Sequence, residues 1–186
     1  MHARPEADEW LMAQVACGRR EYLEPLVRRH ATPLLSFLAR LAGDRHRGEE
    51  LFQEVFLAVW VKRGRYAFPR PFKPWLYAIA VNKCRELFRR GGPAPVPLDP
   101  AAEAPADEPT PPESLVAAEA AGQVDAAVAR LPAQQRAVVH LRVWEGLSYG
   151  EIAAITGRTE ATVRSHMHHA LAGIRTRLTP IHEREG

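Results

Sequence analysis

Residues 91–112 of this 186-residue chain hold eight of its 16 prolines, and neither a helix nor a central strand can run through them. Each proline fixes φ and removes a backbone donor. Four acids and several alanines fill the intervals, and Val96 and Leu98 are the only large apolar side chains there. A segment with so little to bury reads as a semi-extended acidic linker. The chain is therefore expected to fold as two units, 1–90 and 114–186, joined by a Pro/Ala-rich tether at 91–113. Both cores are small, and small cores bury a lesser share of their surface.

Charge follows the same division. The net charge is only +3, yet residues 1–90 carry 17 Lys/Arg against 10 Asp/Glu, residues 91–130 carry one against seven, and residues 131–186 carry seven against five. A basic block, an acidic connector and a mildly basic block suit a polyanionic partner for the outer blocks, or solvated Arg-rich helix faces. Cys17 and Cys84 match no metal spacing and form no disulfide framework, as suits a reducing compartment. No run reaches the roughly 18 apolar residues of a membrane span, and the first ten residues lack the apolar core of a signal peptide. A cytoplasmic, soluble protein is expected.

Apolar residues recur at helical spacing and nowhere alternate, so the expected fold is all-α with no sheet. In the first unit the pattern predicts helices over 8–17, 21–41, 47–61 and 75–90, with Pro33 kinking or splitting the second and a proline-broken loop over 66–74. In the second unit it predicts helices over 115–129 and 133–144. A short helix follows, opened by a Ser148–Glu151 capping box and closed near Gly157, and then a long helix capped by Thr159 that runs to about Leu178. The last two, joined by Thr156-Gly157-Arg158, form a helix-turn-helix pattern. On a helical wheel Val163, Met167, Leu171, Ile174 and Leu178 form the expected core stripe. Ala161, Thr162, Ser165, His168 and His169 lie opposite, with Arg164 on the flank. In that motif the second helix enters the major groove, and small polar residues with a cation near its start suit phosphate and base contact.

Catalysis and metal binding find little support. His166, His168 and His169 cluster, but no Cys, Asp or Glu nearby joins them, and protein metal sites need three or four ligands. No nucleophile–base pair, phosphate loop or paired carboxylates occur. The expectation is a protein that is not an enzyme and has no metal or cofactor.

Two sets of motifs carry a family resemblance. Leu131-Pro132-Ala133-Gln134-Gln135-Arg136, Glu145-Gly146-Leu147-Ser148-Tyr149-Gly150-Glu151-Ile152-Ala153, Gly157, and Thr162-Val163-Arg164-Ser165-His166 resemble the fourth region of sigma factors, the DNA-recruiting subunits of bacterial RNA polymerase. The run from Glu49 to Phe56 with Trp60, and the run from Phe72 to Lys83 with Arg89-Arg90, resemble the second region. The set is most similar to the extracytoplasmic-function (ECF) group of the sigma-70 family, over about residues 8–90 and 114–178, with a linker where the third region would lie. The resemblance implies binding to core RNA polymerase through Glu50, Leu51, Gln53, Glu54 and Phe56. It implies recognition and melting of the minus-ten promoter element by Lys73, Tyr77, Asn82, Lys83, Arg85, Arg89 and Arg90. It also implies contact with the minus-thirty-five element by Arg158, Thr159, Thr162, Arg164, Ser165, His166, His168 and His169. Anti-sigma factors often restrain members of the family, and such a partner is left open here.

The residues fit those roles physically. Opening a promoter needs cations along the phosphates and platforms for unstacked bases, and Lys73, Lys83, Arg85, Arg89 and Arg90 supply the first, Tyr77 and Asn82 the second. Trp75 and Phe88 are expected in the core. Three departures from the family pattern stand out. His166 and His169 occupy common arginine positions, Gly48 replaces an acid, and Pro74 sits inside the minus-ten segment. The competing reading is a conventional helix-turn-helix regulator that acts without polymerase; it has no need of the 49–56 helix or of the 73–90 segment.

Overall fold

A computed structural model describes residues 7–90 and 112–178, the stretch 112–120 as backbone only. Most of the proposed linker, 91–113, thus lies outside the described residues, as do both termini. Eight α-helices and two single 3-10 turns make up the described chain, with no strand among them.

The first four helices form one packed group. α1 (Asp8–Ala16) opens on Asp8 and Glu9, which favour the positive end of a helix, and stops before Gly18, whose φ of 88° no side-chain-bearing residue adopts easily. α2 (Leu23–Ala42) runs as one helix of 20 residues through Pro33, so the expected split does not occur. Leu26, Leu34, Phe37, Leu38 and Leu41 are all buried on one side of it, and that packing outweighs the hydrogen bond lost at proline. Gly43 (φ 75°) ends the helix, and Asp44 caps α3 (Arg45–Lys62) by accepting from the Arg47 amide at 2.8 Å.

α2 and α3 cross closely at Gly48. A β-carbon there would lie 2.8 Å from the Ala39 α-carbon and nitrogen. No side chain fits, so the acid usual in the family is excluded by contact with a neighbouring backbone. α4 (Phe72–Arg89) begins three residues earlier than expected. Pro74 falls in its first turn, where an amide has no partner within the helix, so proline is tolerated. The Phe72 amide instead donates to Glu9 on α1 at 3.2 Å. Trp75 is buried and Phe88 is partly buried against the core, as expected.

The second group comprises α5 (Pro112–Ala129), α6 (Ala133–Val143), α7 (Tyr149–Thr156) and α8 (Glu160–Leu178). The capping box forms as predicted: the Glu151 amide donates to Ser148 Oγ at 3.2 Å, and the Ser148 amide donates to Glu151 Oε2 at 2.8 Å. Gly157 (φ 64°) turns the chain, and Thr159 Oγ1 accepts from the Thr162 amide at 3.2 Å to start α8. The buried stripe of α8 is Val163, Met167 and Ala170, with Ile174 partly buried. Leu171, expected inside, is 48% exposed, because the 4-3-4 spacing turns the buried face toward Ala170 instead.

The two groups pack on each other: α4 lies against α7, and α2 against α6. The sequence offered no expectation about this contact.

Candidate nucleic-acid interface

The outer face of α8 is built by its inner one. With Val163, Met167 and Ala170 buried, Arg164, Ser165, His168 and His169 are exposed, and Thr162 and His166 lie half-buried beside them. Arg164 pairs with Glu160 one turn back and lies 4.4 Å from the centre of the Tyr149 ring, which aims it off the start of the helix. Thr159 spends its hydroxyl on the cap and on Thr162 Oγ1 at 2.8 Å, and Arg158 reaches Gln134 at 3.3 Å. Apart from Arg158 and His166, which line a cleft against Val81, Cys84 and Phe88 of α4, the residues assigned to the upstream element fall on the outer side of the α8 start.

The residues assigned to the minus-ten element share no single face. Helical period divides them between two faces of α4. Asn82, Arg85 and Arg89, at i, i+3 and i+7, are exposed along one side, and Arg90 is exposed just beyond the helix. Lys83 bridges Glu54 at 3.1 Å and Glu86 at 3.4 Å, and the Glu54 hydrogen bond, opposed by burial, raises its pKa. Lys83 and Glu54, given separate roles from sequence, are therefore ion-pair partners here. Lys73 and Tyr77 face the second helix group, and the long Arg85 side chain reaches it from the exposed side. Lys73 Nζ binds Glu145 Oε2 at 2.9 Å and donates to the Glu145 carbonyl at 2.8 Å, while the Arg85 guanidinium donates to the Thr156 carbonyl at the end of α7. Tyr77, expected to offer a stacking surface, is fully buried, edge-on to Phe37 at 5.1 Å.

Glu145 is the centre of this seam. Its side chain is only 3% exposed, and burial alone would raise its pKa. Contacts from His140, Lys73 and Tyr77 outweigh burial and hold it down at about 2, so it is charged. His140 lies between Phe37 (5.1 Å) and Trp144 (5.2 Å), with Nε2 3.4 Å from Glu145 but no well-formed hydrogen bond at either ring nitrogen. Burial depresses its pKa against the pull of Glu145, and the ring is neutral. The Tyr77 hydroxyl also lacks a formed hydrogen bond; burial, then the Glu145 charge, push its pKa up. At the rim Arg40 pairs with Asp125 at 3.0 Å and lies 4.8 Å over the Trp144 ring. No sequence period marks a contact between distant units, and none of these partners was foreseen.

α3 presents a third surface. Leu51 and Phe56, assigned to polymerase contact, are buried and fasten the helix to its own group instead. Glu50, Gln53 and Glu54 are exposed, with His46 3.5 Å from Glu50. Leu57 and Val61, 63% and 68% exposed, continue the same face one and two turns on. Sequence reasoning missed both, although the spacing from Gln53 contains them. Among the described residues no three His, Cys, Asp or Glu side chains converge as a metal site, and no helix is long and apolar enough to cross a membrane.

A helical pair of modules, the second bearing a helix-turn-helix, is the architecture of a sigma-factor fold, and comparison with known proteins agrees. Residues 26–93 match the Sigma-70 region 2 family and residues 121–172 match Sigma-70, region 4. The chain is 34% identical over 181 residues to the ECF RNA polymerase sigma factor ShbA of Streptomyces griseus, covering 94% of this chain and 91% of that one. It is also 34% identical over 157 residues to SigE of Mycolicibacterium smegmatis, covering 82% of this chain and 60% of that longer one. Among solved structures, CnrH in complex with the cytosolic domain of CnrY matches with a TM-score of 0.67 and 25% identity, over 93% of this chain and 97% of that one. The chain belongs to the ECF sigma factors of the sigma-70 family. Its function is accordingly to bind core RNA polymerase and direct it to promoters.

Proposed function

We propose that the three surfaces divide the work of initiation. The outer stripe of α3 (Glu50, Gln53, Glu54, Leu57 and Val61) docks on core polymerase, its acids meeting basic groups and its apolar pair filling the contact. α4 captures the displaced non-template strand through Lys73, Lys83, Arg85, Arg89 and Arg90 along the phosphates, with Asn82 at a base edge and Tyr77 as a base platform once uncovered. α8 lies in the major groove of the upstream duplex, with Arg164 and Ser165 toward base edges and Arg158, Thr162, His166, His168 and His169 along the backbone. Units 1–90 and 114–186 act as separate grips joined by the tether at 91–113. The chain works in the cytoplasm, carries no catalytic step of its own, and is open to restraint by an anti-sigma partner, as CnrH is found with CnrY.

The α3 stripe supports this reading over a conventional regulator. Two large aliphatic side chains left in water beside Gln53 and Glu54 have no use in duplex binding alone. Replacing Leu57 and Val61 together by aspartate is expected to weaken core binding at least tenfold, since burying even one such side chain stabilises by about 1.5 kcal/mol. Run-off transcription falls with it, while binding of the upstream duplex is unchanged. Unaltered core affinity in that variant refutes the docking surface.

A further inference from the structure

Two stripes of side chains border one space without filling it. Val81, Cys84, Arg85 and Phe88 fall at i, i+3, i+4 and i+7 on α4, and Ala133, Ala137 and Val138 fall at i, i+4 and i+5 on α6. α4 packs on α7 and α2 packs on α6, which leaves a cleft of about 240 Å³ between the stripes, lined also by Leu41 of α2. Protein interiors hold few voids larger than a water molecule, whose share of liquid volume is about 30 Å³. This space is several times that size.

Its wall and its rim differ in chemistry. Leu41, Val81, Cys84, Ala137 and Val138 are buried side chains, and Phe88 is half-buried. The Cys84 thiol adds no charge to the wall, because burial pushes its pKa up to about 12. The rim is cationic: Arg85 from α4 and Arg158 from the turn before α8 are exposed there, with His166 beside them. Among the described residues no Asp or Glu lines the space. Arg85 donates to the Thr156 carbonyl and Arg158 to the Gln134 side-chain oxygen at 3.3 Å, both neutral acceptors. Neither forms an ion pair among the described residues. A guanidinium carries five N–H donors, so both retain donors for an anion.

We propose that the cleft is a binding site for a small amphipathic anion, a carboxylate carried on a single aromatic ring, with its acid on Arg85 and Arg158 and its ring against Val81, Phe88 and Val138. An apolar concavity with a few convergent polar groups is the usual form of a small-molecule site. Size sets the class of ligand. A dry cavity of about 150 Å³ takes benzene, so this one takes a ring with a short acidic arm. Charge sets its sign, since two unpaired guanidinium groups with no acid among them favour an anion over a neutral or basic molecule. The site stands on the cleft itself and does not depend on how the promoter is held.

The probe is 3-phenylpropionate, titrated into the full chain with its Val and Leu methyl groups isotopically labelled and read by NMR. Saturable shifts are expected at the methyls of Val81 and Val138, with none at Leu57 and Val61 on α3. A Kd of about 1 mM or tighter suits a ligand of this size. The uncharged 3-phenylpropan-1-ol should bind on the order of tenfold more weakly, and acetate should move neither pair of methyls. Arg85→Gln together with Arg158→Gln should bring the acid down to the affinity of the alcohol. Alcohol binding stays as before in that variant, which shows the cleft intact. Val81 and Val138 methyls that do not move at about ten times the expected Kd overturn the site. Equal binding of acid and alcohol by the wild type overturns the anion, as does a preference for the acid that survives the double substitution.

Discussion

Replacing Gly48 by alanine sets two effects of opposite sign against each other. Alanine is the better helix former, and in an open helical position the change stabilises by about 1 kcal/mol. At Gly48 the new methyl lands 2.8 Å from the Ala39 α-carbon and nitrogen and 2.9 Å from its β-carbon. Carbon pairs rest at about 3.5–4.0 Å, so α2 and α3 must separate locally by most of an ångström. The obstructing atoms are mainly backbone and cannot swing aside. Overpacking of this kind costs about 1–3 kcal/mol, and its upper half applies where nothing yields. The net expectation is a loss of about 1–2 kcal/mol. For a chain of this size that lowers Tm by roughly 2–8 °C, read by far-ultraviolet circular dichroism. Gly122→Ala is the control. It lies within α5, with nothing within 4 Å of the added methyl, and it should hold or raise Tm. A Gly48→Ala protein that melts with the wild type, or later, refutes the close crossing.

Two further outcomes follow from the seam and from α8. Glu145 is held at about 2 against an ordinary value of 4.5, so its contribution is whole above pH 4.5 and is lost as pH falls toward 2. His140 is also depressed, below 6.5; the unfolded chain takes up that proton first, so stability begins to fall once pH drops through 6.5. Tm measured across a pH series should therefore decline from about pH 6.5 downward, and a flat profile between about pH 7 and 4 contradicts the buried neutral imidazole. Arg164→Ala should weaken upstream-duplex binding by about 1–3 kcal/mol with relaxed preference at one base pair if the guanidinium reads a base. A uniform, smaller loss across sequences assigns Arg164 to phosphate instead.

Much of the fold was legible because its signals are local. The Ser148–Glu151 cap, the left-handed Gly43 and Gly157, and the apolar period of α3 each act within a few residues. The readings that failed involve contacts made at a distance. Pro33 looks like a break until the burial of Phe37 and Leu38 is counted. Pro74 looks like a delayed start until it is placed in the first turn of α4. Gly48 looks like a lapse from pattern until Ala39 is found against it. The candidate site divides in the same way. The face of α8 followed from helical period alone. The burial of Tyr77 and the engagement of Lys73 depend on Glu145, 72 residues beyond Lys73, and no spacing rule reaches that far.

The guanidinium of Arg85 at the end of α7 has a consequence for the turn that precedes α8. A helix leaves its last carbonyls without partners, and here one of them is satisfied by the other half of the molecule. Were the halves to draw apart, that oxygen would have to find water, and the elbow formed by Thr156, Gly157 and Arg158 would lose an outside brace. If α8 then takes the upstream duplex as proposed, part of the work of stiffening this elbow falls to the duplex.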